Sequence, residues 1–301
     1  QEVFDRTMSS ADRKIFHDLN PKEEEHWYYT DILKYHEEQQ ERNPAYGYNY
    51  GHFTIADNYS VSDDQLRCVL KTYRKGTVWY ERDIRGQRAV AEGIIFRYFA
   101  DDPDPYLFDE AQLQEWFAVR IQQAKRAGRK KWLDKLTIGI DFGGNGSKTT
   151  MVALGYVNGY HNLYVLDGDS LPVTEEIDSK RICQKFIEFY RRVMEQYGDV
   201  DWVLPDSASP TMINSLRSAA KDAGLPWRNI KGCRKNEVSE RPRTVDLLFT
   251  TGRLLINRQC AELIAAIRRL RWDEDHPDQP EDKNIGNCND WWDAFCYCWL
   301  G

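Results

Sequence analysis

Leu136-Thr137-Ile138-Gly139-Ile140-Asp141-Phe142 runs into Gly143-Gly144-Asn145-Gly146, an apolar strand carrying one acid and then a glycine-rich turn. Thr149 to Tyr156 follows as a second β-rich run, then Asn158-Gly159, then Tyr160 to Leu166. An Asn-Gly pair between two such runs is a strong short-range hairpin signal, so three consecutive antiparallel strands are predicted. Downstream, Ser179 to Tyr197 is an amphipathic helix with Ile182, Phe186, Phe189, Tyr190 and Val193 on its buried side. Val200 to Leu204 reads as a short strand closed by Pro205-Asp206. Ser209 then serves as N-cap, with Pro210 at the first helical position, for a helix reaching Gly224.

Further helices are expected at Pro242 to Thr251 and Arg258 to Arg271, then an acidic loop from Asp273 to Asp282 and a last aromatic helix from Asn289. Three strands, helix, strand, helix and a terminal helix is the order of a ribonuclease H-like α/β domain, a mixed sheet flanked by helices, placed at residues 135–301. The upstream half reads as a strand at Lys14 to Leu19, an Asn20-Pro21 break, and a helix with Tyr28, Ile32 and Tyr35 on one face. After a connector from Gln39 to Gly51, Ser62 and Gln65 make a capping box before Leu66, Val69, Leu70 and Tyr73, and Gly76 ends that helix. Alternating Ile94, Phe96 and Tyr98 predict a strand, the proline-broken acidic stretch 101–110 a boundary, and Ala111 to Ala127 a helix. That helix ends in the basic run Lys125, Arg126, Arg129, Lys130 and Lys131, a solvated linker or a phosphate-contacting arm.

At 301 residues the chain exceeds one small module. With 41% hydrophobic, 30% charged and 13% aromatic residues it is neither disordered nor membranous, and a soluble protein is expected. A net charge of -7 argues against a polybasic nucleic-acid coat, although a global sum leaves a local basic groove open. The seven cysteines are odd in number and lack a Cys-x-x-Cys pair, which predicts packing thiols in a reducing compartment. The chain begins at Gln1 with no secretory signal, and a fragment is expected.

Chemistry is expected from the acids. A carboxylate inside an apolar strand costs several kcal/mol unless paired or bound to metal. Asp141 is such an acid. Asp206 falls at a strand end, the edge where open α/β sheets place ligands, and Asp290 and Asp293 are three apart on one helix face. Together they make an oxygen-donor set suited to Mg²⁺ or Mn²⁺, and two such ions about 3.5 to 4 Å apart activate water for phosphodiester cleavage. Plainer readings stand beside this one: a turn-organising Asp141, an Asx-turn Asp206, and a helix-dipole Asp290. Arg228, Lys231, Arg234, Lys235, Arg241 and Arg243 form a basic run fit for a DNA backbone, extended by Arg268, Arg269 and Arg271, or else solvated surface. The glycine loop is not a P-loop, because Ser147 separates glycine from Lys148 and a strand follows. Ile140 to Asn145 also looks like the first phosphate loop of actin-like ATPases and sugar kinases, but Asp206-Ser207-Ala208-Ser209 lacks the glycine of a second.

Several motifs together resemble the large terminase subunits of tailed bacteriophages, the motors that package viral DNA. They are Ile138-Gly139-Ile140-Asp141-Phe142-Gly143, Val203-Leu204-Pro205-Asp206-Ser207-Ala208, Arg253-Leu254-Leu255-Ile256 and Asp290-Trp291-Trp292-Asp293-Ala294. Upstream stand His17-Asp18-Leu19-Asn20-Pro21, His26-Trp27-Tyr28, His52-Phe53-Thr54, and Tyr80-Glu81-Arg82 through Glu92-Gly93-Ile94-Ile95. The resemblance implies the end of an ATPase domain at 1–45, a connecting region at 46–134 and the nuclease at 135–301. It implies a Mg²⁺- or Mn²⁺-dependent endonuclease cutting concatemeric double-stranded DNA, with Asp141 bridging two ions and Asp206 and Asp293 each completing one shell. Asp290 stands where the family varies between acid and histidine, and is a ligand or a water-orienting group. ATP would serve only the motor part, whose P-loop this sequence lacks. The implied partners are the small terminase subunit, the portal protein and further copies of the chain on the procapsid, in the host cytoplasm and away from membranes. Two alternatives are carried: a docking or DNA-clamping module with a silent nuclease, and a kinase-like phosphotransferase.

Overall fold

The computed structural model describes residues 14–22, 26–143, 147–171, 178–234, 237–276, 278–281 and 288–300. The chain divides into two compact units, one ending at Val90 and one starting at Ala91. Among the described residues no helix is long and apolar enough to cross a membrane.

The first unit is helical, with no strand among its described residues. The strand expected at Lys14 to Leu19 is absent: this segment is irregular, with Phe16 89% and Leu19 52% exposed, so no sheet face holds it extended. A π-wound turn, Tyr28–Leu33, leads into α1 (Lys34–Arg42). His36 stacks on Tyr46 and Tyr48, closing the connector back onto that helix. The Ser62–Gln65 capping box is present and opens α2 (Asp63–Leu70). A second π-wound turn spans Tyr80–Ile84. Gly86 follows at φ 63, left-handed backbone that a glycine adopts freely.

The second unit is a mixed α/β fold on a six-stranded sheet. Its early elements are α3 (Arg97–Asp101), β1 (Leu107–Phe108), α4 (Glu110–Trp116) and α5 (Ala118–Arg126). The strand expected from Ile94, Phe96 and Tyr98 is replaced by one bridge, Ile94 to Arg271, and then α3. Phe96 and Phe99 are the fully buried pair, and a spacing of three belongs to a helical turn rather than a strand. The 101–110 stretch supplies the edge strand β1, which pairs in parallel with β6.

The central elements match the sequence reading closely. They are β2 (Lys135–Asp141), β3 (Thr149–Val157), β4 (Asn162–Leu171), α6 (Ser179–Tyr197), β5 (Trp202–Pro205) and α7 (Pro210–Asp222). Asn158 and Gly159, at φ 57 and 64, turn β3 into β4. Then come α8 (Glu240–Thr250), β6 (Leu254–Asn257), α9 (Ala261–Arg269) and α10 (Cys288–Tyr297). Sheet order is β1-β6-β4-β3-β2-β5, with β2–β3 and β3–β4 antiparallel and β2–β5 and β4–β6 parallel.

Side-chain alternation along β2 decides what each face does. Leu136, Ile138 and Ile140 join Phe186, Phe189, Tyr190 and Val193 of α6 and Ile213 and Leu216 of α7 in the main core. Thr137, Gly139 and Asp141 take the opposite face, where α10 packs. Trp291, Trp292, Phe295 and Tyr297 anchor α10, all buried. Each such ring contributes about 1.5 to 3 kcal/mol.

Candidate active site at the ends of two parallel strands

Asp141 is the last residue of β2, and Asp206 directly follows β5, its parallel neighbour. The Asp206 N–H donates to the Ile140 carbonyl at 2.9 Å, which continues the ladder past β5 and sets the two acids side by side. The Ala208 N–H donates to Asp206 Oδ1 at 3.0 Å, an Asx turn that fixes the carboxylate. Both the Asx-turn reading and the strand-end reading of Asp206 are therefore realised in one residue.

Helix α10 brings the other two acids. Its N-terminal half is held by β3 and the residue before it: Thr150 Oγ1 donates to the Asp290 carbonyl at 2.6 Å, and the Lys148 N–H donates to Asp290 Oδ2 at 2.7 Å. Asp290 is thus a buried carboxylate aimed by a backbone amide, at 6% exposure. Deeper in the helix, the Ala294 carbonyl sits over Gly139, so near that a Cβ there would lie 2.0 Å away. Only glycine lets the helix approach so closely. Glu262, on α9, accepts from Lys148 Nζ at 3.3 Å and from the Trp291 indole at 3.1 Å, bracing the same end of α10.

These acids feel one another. Burial, and then Asp293, Asp290 and Asp206, push the Asp141 carboxyl well above the usual carboxylate range, with Arg241 pulling the other way. Burial, Asp293, Asp141 and Asp206 likewise push the Tyr297 phenol up, so it stays neutral beside them. Among the described residues no three His, Cys, Asp or Glu side chains stand ready to hold a metal ion. An arginine is in the cluster instead: Arg241 Nη1 donates to Asp293 Oδ1 at 2.6 Å. The nearby thiols of Cys296 and Cys298 are pushed up by burial, the latter to about 12, and are packing groups rather than ligands.

The basic run divides. Arg228, Arg234 and Arg243 are exposed, and Lys231 is half-buried with its ammonium 3.8 Å from the Trp202 ring centre. Lys231 and Cys233 donate backbone N–H groups to the Val203 and Pro205 carbonyls, so this segment runs beside β5 to the edge that carries Asp206. Lys235 lies outside the described residues. Arg241, read from the sequence as part of the basic groove, is only 5% exposed and belongs to the acid cluster. In the chain it falls between the cations Arg234 and Arg243, and that company is what assigns it to the surface by sequence. Of the glycine loop, 144–146 lies outside the described residues, and β3 rather than a helix follows it.

A mixed sheet whose two parallel strands end in acids, faced by an acid-bearing helix, defines the class of site. No family model matches the sequence, and a search of curated proteins finds no match. Among solved structures, the large terminase from a thermophilic bacteriophage matches with a TM-score of 0.69 at 19% identity, covering 98% of this chain and 64% of that one. The same terminase in complex with ATP-γ-S matches with a TM-score of 0.68 at 20% identity, covering 98% and 65%. The nuclease domain of the bacteriophage SPP1 large terminase, with bound Mn, covers 55% of this chain and 85% of its own at 19% identity and a TM-score of 0.40, which adds nothing to the site. The structural neighbours are large terminases of tailed phages, and this chain has the fold of the first of them over about 64% of that protein's length.

Proposed function

We propose that this chain is part of a phage large terminase subunit and carries its nuclease, a Mg²⁺- or Mn²⁺-dependent endonuclease of ribonuclease H-like fold cutting concatemeric double-stranded DNA. The observation that carries the reading is Asp141, a carboxyl at a strand end whose ionisation is opposed by burial and by three further acids. Clustered carboxylates fit a hard divalent cation in kind. Asp141, Asp206 and Asp293 would hold two ions, with Asp290 as a further ligand or a water-orienting group. When bound, such ions supply a nucleophilic water and stabilise the leaving oxygen. The chain's own contribution is positioning. The Ala208 amide aims Asp206, and the Lys148 amide aims Asp290. Neutral Tyr297 keeps its proton beside the cluster. Arg228, Lys231, Arg234 and Arg243 supply sequence-independent attraction for the backbone phosphates. In the whole protein the cutting would be coupled to an ATP-driven motor, to which residues 1–45 would contribute the end, joined through 46–134. Small terminase subunit, portal and further copies of the chain on the procapsid, in the host cytoplasm, are the partners this reading implies.

The test is plasmid nicking in Mn²⁺. Asp141→Asn is expected to abolish cutting with an unchanged circular dichroism spectrum; retained cutting would refute the assignment. A silent, DNA-clamping reading has its own support in the Arg241–Asp293 pair, which occupies one acid of the set. Under that reading the wild-type chain binds DNA but cuts it at no Mn²⁺ concentration.

A further inference from the structure

A guanidinium is always charged, and one buried away from water is stable only against opposite charge. Arg241 is buried in the first turn of α8, just ahead of Pro242, and the side chains of Arg241 and Asp293 are 6% and 31% exposed. Its Nη1 meets Asp293 Oδ1 at 2.6 Å, and its guanidinium carbon lies 5.6 Å from the Tyr297 ring centre. The same charge reaches beyond Asp293: it acts on Asp141, at the end of β2, and on Cys296, on α10. So a fixed monovalent cation sits within an acid cluster drawn from two strands and a helix, and it engages an oxygen of one of the expected ligands.

We infer that Arg241 is a built-in counter-ion of the acid cluster, a positioning residue that a divalent cation must draw away from Asp293 before the ligand set closes. This rests on the nuclease reading above and adds to it a regulation of the same site. Two consequences follow from one pair. Without metal, Arg241 offsets the repulsion among Asp141, Asp206, Asp290 and Asp293 and holds the strand ends and α10 together. With metal, it competes for Asp293 and repels the incoming charge, so it lowers cation affinity.

The experiment uses the whole 301-residue chain with Mn²⁺ alone as probe, read by calorimetric titration and by melting temperature in EDTA and in saturating MnCl₂. Arg241→Gln is expected to melt lower than wild type in EDTA, to gain more from Mn²⁺, and to bind Mn²⁺ about tenfold tighter, equivalent to about 1.4 kcal/mol. Arg241→Lys keeps the charge as a strongly hydrated point without the planar fork, and is expected to fold and to bind Mn²⁺ severalfold tighter. Should Arg241→Gln fail to fold, Arg241→Lys decides alone. Mn²⁺ affinity equal to wild type in whichever variants fold would overturn the inference while leaving the metal site standing. Wild-type chain that takes up no Mn²⁺ would remove the metal site itself, and the inference with it.

Discussion

Gly139→Ala tests the placement of the acids without touching any of them. A Cβ at position 139 would lie 2.0 Å from the Ala294 carbonyl oxygen and 2.9 Å from both the Cys298 nitrogen and its Sγ. Two of those three atoms are backbone of α10 and the turn after it, so no side chain can rotate out of the way. Real Cβ contacts essentially never fall below 3.0 Å, so 3.0 − 2.0 gives a retreat of at least about 1 Å for α10 or a bow of β2. Overpacking of this kind costs about 1 to 3 kcal/mol. In a unit of about 200 residues that lowers the melting temperature by roughly 2 to 12 °C. The residue before Ala294 is Asp293, which the shift carries away from Asp141. A misplacement of about 1 Å can cost about 10²-fold in rate, so nicking is expected to fall by that factor.

Gly155→Ala is the matched control, one strand away. Its Cβ would meet Leu166 Cδ1 at 2.9 Å and Leu133 Cδ2 at 3.0 Å, the ends of flexible side chains in the main core. It is expected to lose some stability and keep its cutting rate. Wild-type nicking in Gly139→Ala with a melting temperature within about 1 °C of wild type would show that α10 does not seat on β2 as described. Equal losses of nicking in both variants would show that stability, not acid placement, is what the assay reads.

Other outcomes follow from single contacts. In EDTA, a carboxyl whose folded pKa is raised contributes stability that is fully present below its unfolded value of 3.8 and is lost as pH rises through the folded one. Wild type should therefore lose stability relative to Asp141→Asn as pH rises out of the acid range, and a flat difference in melting temperature across that range would refute the clustering. Tyr98 donates its hydroxyl to Asp246 Oδ1 at 2.8 Å, and Asp246 is 4% exposed. Tyr98→Phe should cost about 1 to 3 kcal/mol in urea unfolding, and a loss under about 0.5 kcal/mol would contradict that hydrogen bond. Replacing Arg228, Lys231 and Arg234 with alanine should reduce the slope of log K against log salt for DNA binding by about 0.9 for each phosphate no longer neutralised. An unchanged slope would remove these residues from the interface.

Local signals carried far in the second unit. The β2, β3 and β4 hairpins, helix α6 from Ser179 to Tyr197 and the proline-opened α7 all stand where period and turn chemistry put them. The failures share a cause. Ile94, Phe96 and Tyr98 alternate like a strand, but the partners that decide their conformation, Arg271, Asp246 and Trp292, lie about 150 or more residues away in the chain. β6 is four residues long and buried almost throughout, so it has no alternation to read. Lys14 to Leu19 has strand propensity and no sheet beside it among the described residues, and propensity alone does not order a segment.

The site shows the same division one level up. Strand parity already places Asp141 on the face of Gly139, and the aromatic run on α10 already implies a helix seated on a sheet, so the acids' convergence follows from patterns of two and of three or four residues. What those patterns omit is charge balance. Arg241 lies between exposed cations, seven residues after Arg234 and two before Arg243, and its own neighbours in the chain assign it to solvent. Only a contact across 52 residues turns it inward to Asp293. Likewise Asp290 and Asp293, three apart, share one face of the helix. They part company because Lys148, 142 residues earlier, gives one a fixed amide donor, while Arg241 gives the other a cation. A carboxylate held by an amide keeps its place whether or not metal binds, whereas one held by a guanidinium must exchange partners. The two acids of one helix turn would therefore answer a metal differently, Asp290 as a preset group and Asp293 as the one that moves.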